Sequence, residues 1–310
     1  MTAAPSVLIL MATFDGARHL EGQLRSIEAQ RHRDWALWVS DDGSSDGTRE
    51  LVEAWARGIP QEVRVVAGPR RGATANFLHL LARDDLPLGP GTHVAFSDQD
   101  DVWFPEKLGR ALARLRRTHD GRPALYGARA EVTDEALRPV GLLPGPPRGG
   151  LRLADPFAWN PVGGLTAMLD PGAAALLRGA RPPRDVPFHD WWISLAVAAC
   201  GGRIEMDEAV VMRYRQHGAN VMGARGGPAA ALRRLGGLTD GRYGAWMQSN
   251  ARALLASGLP LLPDARALAR ELAAPAGPLF RLLALRRHGL RRRDRVGTVA
   301  MWAAAATGRL

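Results

Sequence analysis

The sequence predicts an α/β fold with a mainly parallel central sheet flanked by helices, followed by a helical C-terminal extension. Continuous apolar runs such as "SVLILMAT" mark strands buried on both faces, as in a parallel sheet covered by helices. These runs alternate with segments in which apolar residues recur at helical spacing, the pattern of repeated strand–helix units with right-handed crossovers. Beyond Gly223 the chain changes to Arg, Ala and Leu at helical spacing, which sets residues 226–310 apart as an extension to a domain spanning 1–225.

The elements follow in order. After the first strand, "FDGARHLEGQLRSIEAQ" carries a helix through Leu20, Leu24 and Ile27. A second strand and helix lie in "WALWVSDDGSSDGTRELVEAWARG", with Ser45 as the expected cap, Leu51, Val52 and Trp55 on the buried face and Gly58 as the stop. "EVRVVAG" is a third strand, "TANFLHLLARD" a third helix and "THVAFSD" a fourth strand. "PEKLGRALARLRR" opens a helix with Pro105 in its first turn. The span from Leu142 to Gly164, rich in Pro and Gly, reads as a long irregular loop. "HDWWISLAVAACGG" is a helix with Asp190 near its start, and "RIEMDEAVVMRYRQHGAN" reads as two short strands with a polar exit.

With 310 residues, 46% of them hydrophobic, the chain has ample material for a packed core. The single cysteine, Cys200, excludes a disulfide framework and a cysteine-rich zinc site. The start lacks the basic segment of a signal peptide, and no stretch reaches the ~20 apolar residues that span a bilayer. A cytoplasmic protein is therefore expected, with peripheral contact to the inner face of the cell membrane. The net charge of +10 is almost entirely arginine, since Lys107 is the only lysine. Its densest run, Arg286 to Arg295, follows Leu282, Leu283 and Leu285, a combination suited to an anionic membrane surface; a basic helix packed on the first domain, or a dimer contact, fits the same residues. The run is not interleaved with aromatics as nucleic-acid-binding motifs are, so no nucleic acid is expected as a partner.

Three polar clusters, "TFDG", "SDDGSSDGT" and "SDQDD", each follow a strand. In a parallel sheet they converge on one edge, where ligands of such sheets sit. Asp98, Asp100 and Asp101 crowd three carboxylates onto one exit. Like charges at close range raise one another's pKa, and a divalent cation with oxygen ligands relieves the tension. A solvated turn capping the next helix fits the same residues.

In their order, "ATFDGARHLEGQLRSIEAQ", "WVSDDGSSDGT", "FSDQDDVWFPEKL", "HDWW" and "YRQHGAN" resemble family 2 glycosyltransferases, and most closely the bacterial rhamnosyltransferase-like members. The resemblance covers about the first 225 residues. It implies a GT-A fold, an inverting reaction, a nucleotide-diphosphate sugar donor such as dTDP-rhamnose, and a cell-surface glycan or lipid-linked acceptor. Asp98 and Asp100, with Gln99 between them, match the motif that holds the nucleotide and a Mg²⁺ or Mn²⁺. Asp101 then orients or caps. Asp42 matches an acid that accepts a hydrogen bond from the uracil or thymine ring, Thr13 and Phe14 flank the base, and Arg71 and Asn76 line the nucleotide. Asp190 matches the catalytic base, with His189 a weaker candidate, and Trp191 and Trp192 either stack on sugar or fill the core. His217 matches a third metal ligand, in a donor-rich exit loop with Arg213, Arg215 and Asn220. No Gln-x-x-Arg-Trp motif is present, so one sugar per acceptor is expected rather than processive synthesis. Two rivals remain: a basic nucleic-acid-binding module, and a sugar nucleotidyltransferase, which needs a catalytic lysine that only Lys107 could supply.

Overall fold

The computed structural model describes residues 6–147, 149–181, 183, 185–217 and 240–310. Four strands form the parallel half of one sheet: β1 (Val7–Thr13), β2 (Trp35–Asp41), β3 (Val63–Ala67) and β4 (His93–Ser97), in the order β3-β2-β1-β4. Helices α1 (Ala17–Glu28), α2 (Thr48–Ala56) and α3 (Ala73–Leu81) are their crossovers. Alternation along β1 divides the core. Leu8 and Leu10 join one apolar cluster, with Phe77 and Phe96. Val7, Ile9 and Met11 join the other, with Leu20, Leu24 and Ile27 of α1. Both faces being covered explains why the run reads as continuously hydrophobic.

The other half of the sheet is mixed. It contains β5 (Val102–Trp103), β6 (Ala124–Thr133), β7 (Pro139–Leu142), β8 (Met168–Leu169) and β9 (Arg203–Arg215). The short β8 bridges the halves, antiparallel to both β4 and β6, while β6 and β9 are parallel. Helix α4 (Lys107–Arg117) covers one side of this half. The expected two short strands are one 13-residue strand, β9, whose register against β6 shifts between Gly127 and Arg129 and again before Glu131. The ladder is irregular around Asp207, which is satisfied by Arg110 (2.7 Å) and Tyr126 (3.2 Å).

Two further expectations are corrected. Ser45 does not cap α2: its N–H and hydroxyl both donate to Asp15 (2.8 and 3.4 Å), and the cap position falls two residues later on Gly47, in the left-handed region (φ 88°). The Pro/Gly-rich span contains the single turn α5 (Asp155–Ala158), and Phe157, Trp159 and Val162 plug it into the core. Helices α6 (Pro171–Arg178) and α7 (His189–Ala199) complete that layer.

The C-terminal helices are α8 (Arg242–Ala256), α9 (Pro263–Ala273), α10 (Pro278–Arg287) and α11 (Arg295–Ala306). Their Leu254, Leu268, Leu285 and Met301 belong to the same apolar cluster as Leu8 of β1. Tyr243 donates to the Ala158 carbonyl, and Arg291 pairs with Asp155 at 3.2 Å, closing α5 beneath the extension. The 225/226 boundary lies outside the described residues.

Candidate active site

The exits of β1, β2 and β4 are stitched together by their own polar groups. Gln99 pairs with the Phe14 backbone in both directions, accepting from its N–H (2.9 Å) and donating to its carbonyl (3.0 Å). It lies so close to Gly16 that a Cβ there would meet its side chain at 2.2 Å. Asp15, with a left-handed backbone (φ 42°), accepts from Ser45, and its N–H donates to the Ser44 hydroxyl (2.9 Å). Phe14 is left 56% exposed at this edge. Thr13 is buried, and its hydroxyl donates to Asp41 (3.0 Å).

The two acids of the β2 exit are fully engaged. Asp41 also accepts from the Ser44 hydroxyl (2.6 Å) and the Gly43 N–H (3.2 Å). Burial opposes its ionisation, but hydrogen bonds from Ser44, Thr13 and Gly43 outweigh that and hold its carboxyl below the usual value. Asp42 grips the loop before α3, accepting from the Arg70 N–H (2.6 Å) and the Gly72 N–H (2.7 Å). Glycine is required at position 68, where a Cβ would lie 2.8 Å from Asp42 and 2.7 Å from Asn76. Asn76 is 1% exposed and donates to the Ser40 carbonyl (2.7 Å), so it braces the loop before α3 from behind and offers no exposed side chain there. Arg71 is exposed on that loop. The side chain lying over the Asp42–Gly43 turn belongs to its neighbour Arg70, whose backbone is left-handed (φ 56°).

The β4 exit is different. No donor among the described residues reaches the Asp98 carboxylate. Burial, then the charges of Asp100 and Asp190, push it up to about 7, with Lys107 pulling the other way. Asp100 meets the Nε2 of His217 at 2.6 Å. Asp101 is buried and accepts from the Arg215 N–H (3.1 Å), joining the β4 exit to the end of β9. Arg215 also donates to the Asp100 carbonyl (2.9 Å). Arg213 pairs with Glu131 (3.1 Å), so both arginines brace the protein instead of offering a donor loop. Asn220 lies outside the described residues.

Asp190 stands in the first turn of α7, near enough to Asp98 to raise its pKa. Its two oxygens accept from its neighbour's N–H (Trp191, 2.8 Å) and from the Gly164 N–H (2.9 Å). His189 is turned away: its ring stacks on Phe77 at 4.1 Å, burial lowers its pKa, and its Nε2 is buried. That leaves Asp190 as the base candidate. Trp191 and Trp192 fill the core, and Trp191 donates to the Pro156 carbonyl (2.7 Å).

Sequence reasoning missed three contributors. Gly164 must lack a Cβ, which would lie 2.6 Å from His189 and 3.3 Å from Asp190; the "VGG" of the irregular span was its only signal. Arg70 was hidden beside Arg71. Lys107 is buried behind the acids, donating to the Leu165 carbonyl (2.5 Å) with its Nζ 3.6 Å from the centre of the Trp103 ring. Being the only lysine was the clue.

Residues 8–135 match the model of glycosyl transferase family 2. Over that stretch the chain has the sequence pattern of a family 2 glycosyltransferase domain. Over 239 residues, 73% of this chain and 78% of the relative, it is 26% identical to the "dTDP-rhamnosyl transferase RfbG" of Shigella flexneri. Among solved structures it resembles S. aureus TarS 1-349 in complex with UDP-GlcNAc, with a TM-score of 0.58 and 15% identity over 86% of this chain and 70% of that one. It also resembles the mannosyltransferase PcManGT of Pyrobaculum calidifontis in complex with GDP-Man and Mn²⁺, with a TM-score of 0.54 and 22% identity over 99% and 88% of the two chains. At those identities the structures establish a GT-A-type fold for this chain. No helix among the described residues is long and apolar enough to cross a membrane.

The residues fit a divalent cation. Among the described residues no three His, Cys, Asp or Glu side chains form a preformed cage. An ion such as Mg²⁺, however, is often held by one or two carboxylates and completed by substrate phosphates. Asp98 meets no donor among the described residues and Asp100 is paired with an imidazole nitrogen, which is a donor set of that kind.

Proposed function

We propose that this glycosyltransferase transfers one sugar, with inversion, from a nucleotide-diphosphate donor to an acceptor hydroxyl. In this reading Asp98, Asp100 and His217 hold Mg²⁺ or Mn²⁺, and Asp190 is the base. The observation that carries it is the Asp98 carboxylate, which lies partly buried among like charges with no hydrogen-bond donor among the described residues. The bound metal would neutralise charge developing on the departing diphosphate. The stitched edge of Phe14, Gln99 and Asp42 receives the nucleotide, Phe14 offering an exposed ring to the base and Asp42 holding the loop that carries Arg70 and Arg71. Asp190 is aimed by Gly164 and the α7 amide, and takes the acceptor proton on an oxygen that keeps a free lone pair.

The dTDP-rhamnose donor is favoured by the Shigella relative's name. A cell-surface glycan or lipid-linked acceptor is the class we assign, with residues 1–225 catalytic and 226–310 an extension braced against them. A nucleotidyltransferase is disfavoured, because the only lysine is buried with its Nζ bound to Leu165. The test is release of nucleoside diphosphate from a panel of nucleotide sugars with Mg²⁺ or Mn²⁺ and acceptor. One donor should turn over, and EDTA should abolish it. No turnover across the panel, or turnover indifferent to EDTA, contradicts the reading.

A further inference from the structure

The expected membrane-facing residues Leu282 and Leu285 point inward, Leu285 fully buried and Leu282 packed on the core. Three arginines of the basic run are likewise engaged inside. Arg291 pairs with Asp155, Arg292 covers the Tyr243 ring at 4.4 Å, and Arg293 donates to the Gly145 carbonyl. What faces out is a different set. Among the described residues, ten large apolar side chains are exposed, and five of them lie on the neighbouring helices α10 and α11: Leu279, Phe280, Leu283, Val296 and Val299. Leu279, Phe280 and Leu283 share one face by their i, i+1, i+4 spacing, and Val296 and Val299 share another by i, i+3. Phe280 is 73% exposed, more than any other in that group. Arg286 lies 5.9 Å from the Trp302 ring, linking the two faces, and the exposed Arg295 starts α11. The nearby acids are committed: Asp294 accepts from the Gly297 N–H, and Glu271 pairs with Arg287 and His288.

We propose that this face of α10 and α11 docks on an anionic lipid bilayer. Leu279, Phe280, Leu283, Val296 and Val299 enter the headgroup boundary, and Arg286 and Arg295 meet lipid phosphates. An apolar face bordered by arginine is the composition of an interfacial helix. Each arginine near such a surface strengthens binding about fivefold. This deepens the reading of a lipid-linked acceptor, but the docking itself does not require that reading to hold.

The experiment is co-sedimentation of the full chain with phosphatidylcholine vesicles, with and without phosphatidylglycerol. Wild type should bind the anionic vesicles in low salt, release in high salt and ignore pure phosphatidylcholine. Phe280→Ser with Leu283→Ser should weaken binding at least tenfold, and Arg286→Glu with Arg295→Glu about 25-fold or more. All these positions are exposed, so melting temperature and nucleoside-diphosphate binding should match wild type, which separates failure of docking from failure of the catalytic reading. Absence of binding to anionic vesicles overturns the proposal. So does binding that both double variants retain. A concentration-dependent dimer that Phe280→Ser dissociates, without vesicle binding, assigns the face to a second copy instead.

Discussion

Two acid pairs stand at neighbouring strand exits of one sheet, and their chemistry is opposite. At the β2 exit, Asp41 and Asp42 accept hydrogen bonds from Thr13, Gly43, Ser44, Arg70 and Gly72, and the Asp41 carboxyl is held below its usual value. At the β4 exit, Asp98 has no such donor among the described residues and is pushed up to about 7. The same residue type is a structural anchor where the chain answers its charge and, in the proposed reading, a site for a ligand where it does not. Functional sites concentrate such unanswered groups because their partner arrives with the substrate.

Substitutions should separate the two. The largest effect is expected at Asp190, which lies beside Asp98 but keeps two backbone donors. Asp190→Asn should lower turnover by roughly 10²- to 10⁴-fold, with metal and nucleotide binding near wild type by calorimetry. Asp98→Asn should lower turnover about 10²- to 10³-fold, but with metal-dependent donor binding lost in parallel. In stability the pairs should move in opposite directions. Asp42→Ala leaves two backbone N–H groups unanswered and should cost about 2–4 kcal/mol in urea denaturation. Asp98→Asn removes a repelled charge and should leave stability unchanged or higher. A smaller loss, about 1–3 kcal/mol, is expected for Gly68→Ala, whose new Cβ would press on Asp42 and Asn76.

The pH dependence has a definite sign. The Asp98 pKa is raised in the folded protein, so between its unfolded value near 4 and about 7 the folded state holds a proton that the unfolded state has lost. Stability contributed by this group is present at low pH and is lost as pH rises through that window. In the proposed reading Mn²⁺ competes with the same proton. Thermal stabilisation by Mn²⁺ with nucleoside diphosphate should therefore grow from pH 6 to pH 8 in wild type and stay flat in Asp98→Asn.

The sequence made the parallel half legible because its strands are buried on both faces, which writes them as unbroken apolar runs. The β9 strand was harder to read, because Asp207 breaks the apolar pattern and is answered only in three dimensions by Arg110 and Tyr126. Acids at strand exits were visible as a cluster. Which of them are already satisfied was not, since Asp42 spends its oxygens on amides 28 and 30 residues away. Backbone donors leave no mark in a sequence. For the same reason the Gly164 support of Asp190 was hidden, and the arginine run gave no sign of which members turn inward.

The most direct measurement is calorimetric titration of the preferred nucleoside diphosphate into wild type, Asp98→Asn and Asp42→Asn, each with Mn²⁺ and with EDTA. Wild-type affinity should fall sharply in EDTA. Asp98→Asn should bind weakly and equally in both conditions, and Asp42→Asn should bind less tightly but keep its metal dependence. Equal wild-type affinity with Mn²⁺ and with EDTA would contradict a metal held at Asp98 and Asp100.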